Sequence, residues 1–283
     1  MARIRHIALA TRNPDDAAEF YQRAFAFKEV GKFSAREADG YYLTDGALNM
    51  ALLKFKPGAL DQLGKGLDYA GPHHFGVLVN GDLDGWISKV ESFGAECFFK
   101  PDKNAPSSYV EVKFRGPDRT VFDIAAHPWP ISGSARATIR HIAIATQNPD
   151  TTAQFYKRAF GFEEMRKVAG ELAHGYFLSD RATNMAILKF RGPDQLGKGL
   201  DYTGLHHFGL LVDDVKEWTA RLESMGAECF MRAPERPGNN HFEVKFRGPD
   251  GVVFDIAQHP WPGSAAIEVA AAEQAQPNSQ SDI

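Results

Sequence analysis

Repetition is the feature that most narrows what this chain can fold into. "IRHIALATRNPDDAAEFYQRAFAF" from Ile4 returns as "IRHIAIATQNPDTTAQFYKRAFGF" from Ile139, an offset of 135 residues. "DQLGKGLDYAGPHHFGVLV" returns as "DQLGKGLDYTGLHHFGLLV", and "VEVKFRGPDRTVFDIAAHPWP" as "FEVKFRGPDGVVFDIAQHPWP". The offset shrinks to 133 at the histidine doublets and 132 at the "VFDIA" phrases, so small deletions separate the matched blocks. A period this long implies two homologous units, each of domain size. The expected organisation is a first domain over residues 1–130, a small-residue linker over 131–138 and a second domain over 139–262. The Ala/Gln/Ser-rich tail over 263–283 has no counterpart and is expected to be disordered.

Each half divides again. "RHIALA" alternates like a strand, and "NPDDAAEFYQRAF" supplies an Asn cap, a Pro in the first turn and acidic residues at a helix N-terminus. Ala17, Phe20, Tyr21 and Ala24 then share one helical face. Strands follow at "GYYLTD" and "LNMALLKF", and the pattern restarts with strand "HHFGVLV", helix "LDGWISKVESFG" and strands "YVEVKF" and "TVFDIAAH". The chain therefore holds four units of the order strand, helix, strands.

Composition excludes several functions. A formal net charge of -4, with Lys and Arg scattered, lacks the basic stripe of a nucleic-acid surface. No apolar run approaches a membrane span of about 20 residues. The opening "MARIRHIALATRNPDD" has no signal-peptide core, and Cys97 and Cys229 occupy equivalent positions of separate repeats, so a reducing cytoplasm and no disulfide are expected.

The chemistry is expected at residues that recur at the starts and ends of the units. His6 and His141 open the first strand of each half; the doublets His73/His74 and His206/His207 open the strand of each second unit. Strand alternation allows only one histidine of a doublet to face the interior. Matching "HHFGVLV" to "RHIALAT" puts His74 and His207 in register with His6 and His141, so His73 and His206 are expected to point elsewhere. In "VFDIA", Phe122 and Ile124 belong on a helix-covered face, which puts Asp123, and likewise Asp255, on the other. A carboxylate centred in an apolar strand needs a partner. A strand-opening histidine is ordinarily structural when it stands alone, but two imidazoles and one carboxylate in matched places form a facial set suited to non-haem Fe(II), and also to manganese, nickel or zinc. The sets are His6, His74 and Asp123 in the first half and His141, His207 and Asp255 in the second.

Glu111 and Lys113 share a strand face, as do Glu243 and Lys245. Glu243 is a candidate base or alternative ligand, and Lys245 a candidate for stabilising an anionic substrate oxygen; a rim ion pair is the plainer reading. His174 and His241 occur only in the second half and are candidates for proton transfer. "HPWP" is expected to be an exit turn with an aromatic plug.

The phrases "RHIAIAT", "FYKRAFGF", "HHFGLLV" and "FRGPDGVVFDI" resemble the paired βαβββ pattern of the vicinal oxygen chelate superfamily, over nearly everything from Ile4 to about Pro262. The resemblance implies an α+β fold of four βαβββ modules forming two cupped mixed sheets with helices packed outside. It implies the same two metal sets, with ligands from first-strand histidines and a final-strand carboxylate. Four modules in one chain resemble extradiol ring-cleaving dioxygenases, which implies a catechol-like substrate with vicinal oxygens and an Fe(II) site. A redox-neutral lyase, isomerase or epimerase, or a small-molecule-binding resistance protein, stays open. Asp replaces the family's usual Glu in both halves, and Lys113 and Lys245 stand where an extradiol enzyme has tyrosine. "NMALLKF" and "NMAILKF" lack the additional carboxylate of a glyoxalase-like site. No nucleic-acid or membrane partner is expected, and homo-oligomerisation stays open.

Overall fold

The computed structural model describes residues 2–101, 111–232 and 243–266. The first half runs β1 (Arg3–Ala10), α1 (Pro14–Phe25), β2 (Lys28–Ser34), β3 (Ala38–Thr44) and β4 (Asn49–Phe55). It continues with β5 (Gly71–Leu78), α2 (Leu83–Ser92), β6 (Glu96–Phe99), β7 (Val112–Arg115) and β8 (Val121–Ala125). The second half repeats this order as β9 (Thr138–Ala145), α3 (Pro149–Phe160), β10 (Glu163–Ala169), β11 (Ala173–Ser179) and β12 (Asn184–Phe190). It ends with β13 (Gly204–Leu211), α4 (Val215–Ser224), β14 (Glu228–Arg232), β15 (Glu243–Arg247) and β16 (Val253–Ala257). Each half is one eight-stranded sheet, ordered β2-β3-β4-β1-β5-β8-β7-β6 and β10-β11-β12-β9-β13-β16-β15-β14. Within a half, the two βαβββ modules join where their first strands pair antiparallel, β1 with β5 and β9 with β13.

The helices start where side chains take up the free backbone N–H groups. Asn13 accepts from the amides of Asp15 and Asp16, Asp82 from those of Asp84 and Gly85, and Asp214 from those of Lys216 and Glu217. The C-terminal turns close on Ala26 and Gly161, both in the left-handed region.

The helices lie outside each cup but inside the molecule, because the helix-bearing faces of the two sheets are turned toward each other. Phe25 of α1 is fully buried; it stacks on Trp218 of α4, with centroids 5.6 Å apart, and meets Phe254 of β16 edge-on. Phe160 of α3 reciprocates, stacked on Trp86 of α2 and edge-on to Phe122 of β8. Residues of both halves thus form one continuous apolar core. Reciprocal polar clasps close its edge. Asp180 Oδ2 accepts from the Ile4 amide and Asp45 Oδ2 from the Ile139 amide, each at 2.6 Å. Thr11 holds Asp250, and Thr152 holds Asp118, in the opposite half. Gly263–Ala266 dock on the turn before β12, through Ser179 to Gly263 and Ala265 to Ala182; the expectation of disorder for the rest of the tail falls outside the described residues. Among the described residues no helix is long and apolar enough to cross a membrane.

Phe25→Ala is expected to cost about 3–5 kcal/mol, as for other aromatic-to-alanine core changes. Because the core is shared, denaturant unfolding followed by tryptophan fluorescence should still show one transition for both halves.

Candidate metal centres

His6, His74 and Asp123 converge on one side of the first sheet, and His141, His207 and Asp255 on the corresponding side of the second. Within each set the ligating atoms lie within 4.8 Å of one another, and all six residues are buried. His207 Nε2 is 3.4 Å from His141 Nε2 and 3.3 Å from Asp255 Oδ2; His74 Nε2 is 3.2 Å from Asp123 Oδ2. Adjacent pairing supplies this approach: Gly76 of β5 is opposite Asp123 of β8, and Gly209 of β13 opposite Asp255 of β16. The carboxylate therefore stands on the strand next to the histidine, where an aspartate is long enough to reach.

Hydrogen bonds around the rings decide which nitrogens are bare. Asn49 donates its amide N–H to the Pro130 carbonyl at 3.1 Å, so its Oδ1 must accept from His6 Nδ1 at 3.0 Å. Asn184 does the same between Pro262, at 2.8 Å, and His141, at 2.8 Å. The proton on Nδ1 leaves Nε2 of His6 and His141 as a lone pair aimed at the centre. Asn49 is also the direct cross-strand partner of His6, so β4 meets the centre with an amide rather than a further carboxylate.

The doublets depart from the expectation that their first histidine points elsewhere. The β1–β5 register slips between Leu9/Pro72 and Ala8/His74, which leaves His73 as the extra residue of a β-bulge, and His206 occupies the same position on β13. A bulge interrupts alternation, so His73 turns toward Phe55 and His206 stacks on Phe190, both on the cup side. Nδ1 of each first histidine lies 2.7 Å from Nδ1 of the second. The first histidine can thus accept the Nδ1 proton of the second, which leaves Nε2 of His74 and His207 bare.

Trp129 and Trp261 of the two "HPWP" phrases complete the pattern. Each indole stacks on the first-strand histidine, with centroids 5.0 Å apart for His6 and 4.9 Å for His141. Each donates to a glutamate, Trp129 to Glu111 at 2.6 Å and Trp261 to Glu243 at 2.7 Å. A Cβ on Gly76 or Gly209 would stand 2.7 Å from these rings, so the small residue after "HHF" is the seat of the indole. Lys113 bridges Glu111 and Asp123 Oδ2, both at 3.2 Å. Lys245 bridges Glu243 at 3.6 Å and Asp255 Oδ2 at 2.5 Å. Burial would lower the Lys245 pKa, but Asp255 and Glu243 outweigh it and hold the ammonium charged.

These donors suit a divalent ion. An ion bound at about 2.1 Å sets neighbouring donors about 3 Å apart, close to the 3.2–3.4 Å contacts here. Burial depresses the pKa of His73, His74, His206 and His207 well below the ordinary value and that of His141 to about 3, so these rings are neutral, and those of His74, His141 and His207 are neutral donors for an ion. Asp123 Oδ1 and Asp255 Oδ1 are buried without hydrogen-bond partners among the described residues. Counting the lysine and both carboxylates, each cluster carries one net negative charge. The lysine stands on Oδ2, the carboxylate oxygen beside the second histidine, and is the cation that balances the carboxylate in the protein alone.

Of the further candidates, Glu243 and Lys245 face the centre, although Glu243 is tied to Trp261 and Lys245 rather than to a histidine. His174 belongs to the opposite face. Phe177 of β11 reaches the His141 ring, whereas Tyr176, on the face His174 shares, reaches Asp150 of α3. Strand alternation therefore sends His174 toward the helices, away from the proton-transfer role. His241 lies outside the described residues. Cys97 and Cys229 are free and half-buried. Asn49, Asn184, Trp129 and Trp261 were not among the sequence candidates; their signal was their presence at matched places in both repeats.

The sequence profile of the Glyoxalase/Bleomycin resistance protein/Dioxygenase superfamily matches residues 3–124 and 138–256. The chain belongs to this superfamily. No curated protein matches it as a sequence relative. Similar solved structures include a mutant 4-hydroxymandelate synthase from Streptomyces coelicolor, 14% identical, with a TM-score of 0.70 over 93% of this chain and 95% of that one. The Mn(II)-bound glyoxalase from Novosphingobium aromaticivorans is 18% identical, with a TM-score of 0.64 over 91% of this chain and 83% of the other. The 2,3-dioxygenase LapB from Pseudomonas sp. KL28 is 16% identical, with a TM-score of 0.63 over 94% and 96%. At these identities the likeness shows the fold shared by superfamily members of different chemistry.

Two predictions follow from the wiring of the centres. Lys245→Met leaves Asp255 uncompensated in the metal-free protein and is expected to cost about 3–5 kcal/mol; denaturant titration with added Mn(II) or Zn(II) should recover more stability in this variant than in wild type. Acid should also weaken the metal-free fold. His73, His74, His141, His206 and His207 stay neutral in the folded chain while those of the unfolded chain protonate near pH 6.5, so stability falls as pH drops from about 7 toward 5, by roughly 1.4 kcal/mol per pH unit for each such histidine below that value. Buried Asp45 and Asp180, whose pKa is raised by burial, work in the opposite direction nearer the carboxylate range. Denaturation curves at stepped pH on chelator-treated protein test the sign.

Proposed function

We propose that this chain is a metal-dependent oxygenase of the extradiol kind, acting on a catechol-like aromatic through an Fe(II) site held by His141, His207 and Asp255. A second such site would be held by His6, His74 and Asp123. The observation that carries this reading is the donor set. Each centre offers three protein ligands, and the residues that might add a fourth are committed, Glu111 and Glu243 to indole and ammonium and Asn49 and Asn184 to the histidine rings. Three ligands on one face leave three positions, enough for two vicinal substrate oxygens and dioxygen. Ferrous iron held there would supply Lewis acidity and dioxygen activation.

The remaining work falls to the chain. Asn184 and His206 keep the ligating nitrogens bare, Trp261 fixes the plane of His141, and burial excludes water from the ligands. Lys245, held charged beside Asp255, offers a fixed cation to negative charge developing on a substrate oxygen. A redox-neutral reaction through an enediolate is the second reading. One observation favours it: both halves carry a complete set, whereas the resemblance to extradiol enzymes implies a working set in the second half alone.

The test is dioxygen consumption by anaerobically purified, Fe(II)-reconstituted protein given simple catechols. Uptake matched to substrate loss, with a ring-opened chromophore, is the expected outcome. His207→Ala should cut the rate at least about a hundredfold, beyond the 10–100-fold that outer-shell changes cause, if the second centre carries the turnover. Retained metal with no dioxygen uptake, together with anaerobic turnover of a hemithioacetal or 2-hydroxyketone, would replace this reading by the redox-neutral one.

A further inference from the structure

A cavity of about 430 Å³ lies between the two halves near the N-terminal ends of β1 and β9. It contains none of the six clustered histidines and aspartates, and touches the first centre only through Trp129. Its charged lining comes from Arg5, Arg140 and Asp45, Ser134 and Thr138 add hydroxyls, and its apolar lining includes Leu78, Trp129 and Ile131. That size is within the range of small-molecule sites, roughly 300–1,000 Å³.

The two arginines are matched residues of the repeated "IRHIA" phrase, brought together from opposite halves. Each is displaced from its ladder. The β1–β5 register slips between Ile4 and His6, and the β9–β13 register slips between Ile139 and His141, so Arg5 and Arg140 are the residues left over. Bulges of this kind re-aim a side chain and are common beside functional sites. A guanidinium has five N–H donors. Arg5 uses one on the Ala47 carbonyl at 3.2 Å, and Arg140 uses one on the Ile139 carbonyl at 3.4 Å. The Nε of Arg140 is buried with no partner among the described residues.

The nearest carboxylates do not absorb these donors. Asp45 accepts from the amides of Ala47 and Leu48 through Oδ1 and from that of Ile139 through Oδ2. Asp180 accepts from Ala182 and Thr183 through Oδ1 and from Ile4 through Oδ2. Among the described residues neither arginine forms an ion pair within 4.0 Å. Two guanidinium groups with spare donors, at the head of a cavity with apolar walls, match a flat apolar molecule bearing one carboxylate.

We propose that this cavity is a second small-molecule site, binding a carboxylate carried on an apolar body, with Arg5 and Arg140 holding the carboxylate and Leu78, Trp129 and Ile131 the body. The site stands on the geometry of the seam and not on the reading of the metal centres. A ligand there would touch Trp129, whose ring stacks on His6, so the first centre is the one that would sense it.

Calorimetric titration of benzoate into the full-length, chelator-treated protein tests this, with benzamide as the uncharged isostere. Saturable binding of one benzoate per chain is expected, with benzamide weaker by about tenfold or more, the size of one charge-assisted contact. Arg140→Met should weaken benzoate by a similar factor. Ile131→Asp puts a like charge at the mouth, at a residue 51% exposed and so tolerant of change, and should weaken benzoate too. If Arg140→Met fails to fold, Ile131→Asp decides alone. No saturable binding by wild type overturns the proposal, as does benzamide binding as well as benzoate. Benzoate affinity unchanged in the folded variants overturns it as well, since the carboxylate would then sit elsewhere, for instance at the ligating histidines.

Discussion

Each half of this chain covers the helix face of its sheet partly with helices of the other half, and the rest of the structure follows from that exchange. Phe25 fills space against Trp218 and Phe254, and Phe160 fills the matching space against Trp86 and Phe122. An amphipathic helix gains most of its stability from the face it buries, and here that face is buried between two sheets. The clasps from Asp45 to Ile139 and from Asp180 to Ile4 fix the strands that carry Arg5, His6, Arg140 and His141. The packing therefore sets both the seam between the halves and the first ligand of each centre.

On the far face of each sheet, electrostatics takes over. Three lone-pair-bearing atoms point at one another in a region that excludes water, an arrangement that is unfavourable without a cation. The protein alone meets that need with Lys113 and Lys245, whose charge survives burial because two carboxylates lie beside each ammonium. The indoles, asparagines and first histidines of the doublets add no charge. They set proton positions and ring planes, which is the usual work of groups behind a ligand.

Much of this was legible in the sequence, and what was not has physical causes. The four modules and the meeting of His6, His74 and Asp123, and of their counterparts, could be read because repeats and period-two alternation survive in sequence. Alternation also misled. It assigned His73 and His206 to the wrong face, since a bulge is a matter of pairing register between β5 and β1, which the "HH" phrase does not contain. The same rule, applied to "AHGYFLS" with Phe177 as the cup-facing residue, would have turned His174 toward α3. Asn49 escaped notice because its role depends on standing opposite His6 across a parallel pair. Trp129 was legible as an aromatic plug but not as the partner of His6, because the exit turn brings it back over a strand that began more than a hundred residues earlier. The sharing of helices between halves was hidden because each helix is amphipathic in either packing.

The back-to-back sheets also keep the two clusters apart. The two clusters lie on opposite sides of the shared apolar core, and among the described residues no hydrogen bond or ion pair joins one set to the other. A substitution in one cluster therefore has no direct contact through which to disturb the other, and the molecule is better regarded as two separate vessels sharing a wall.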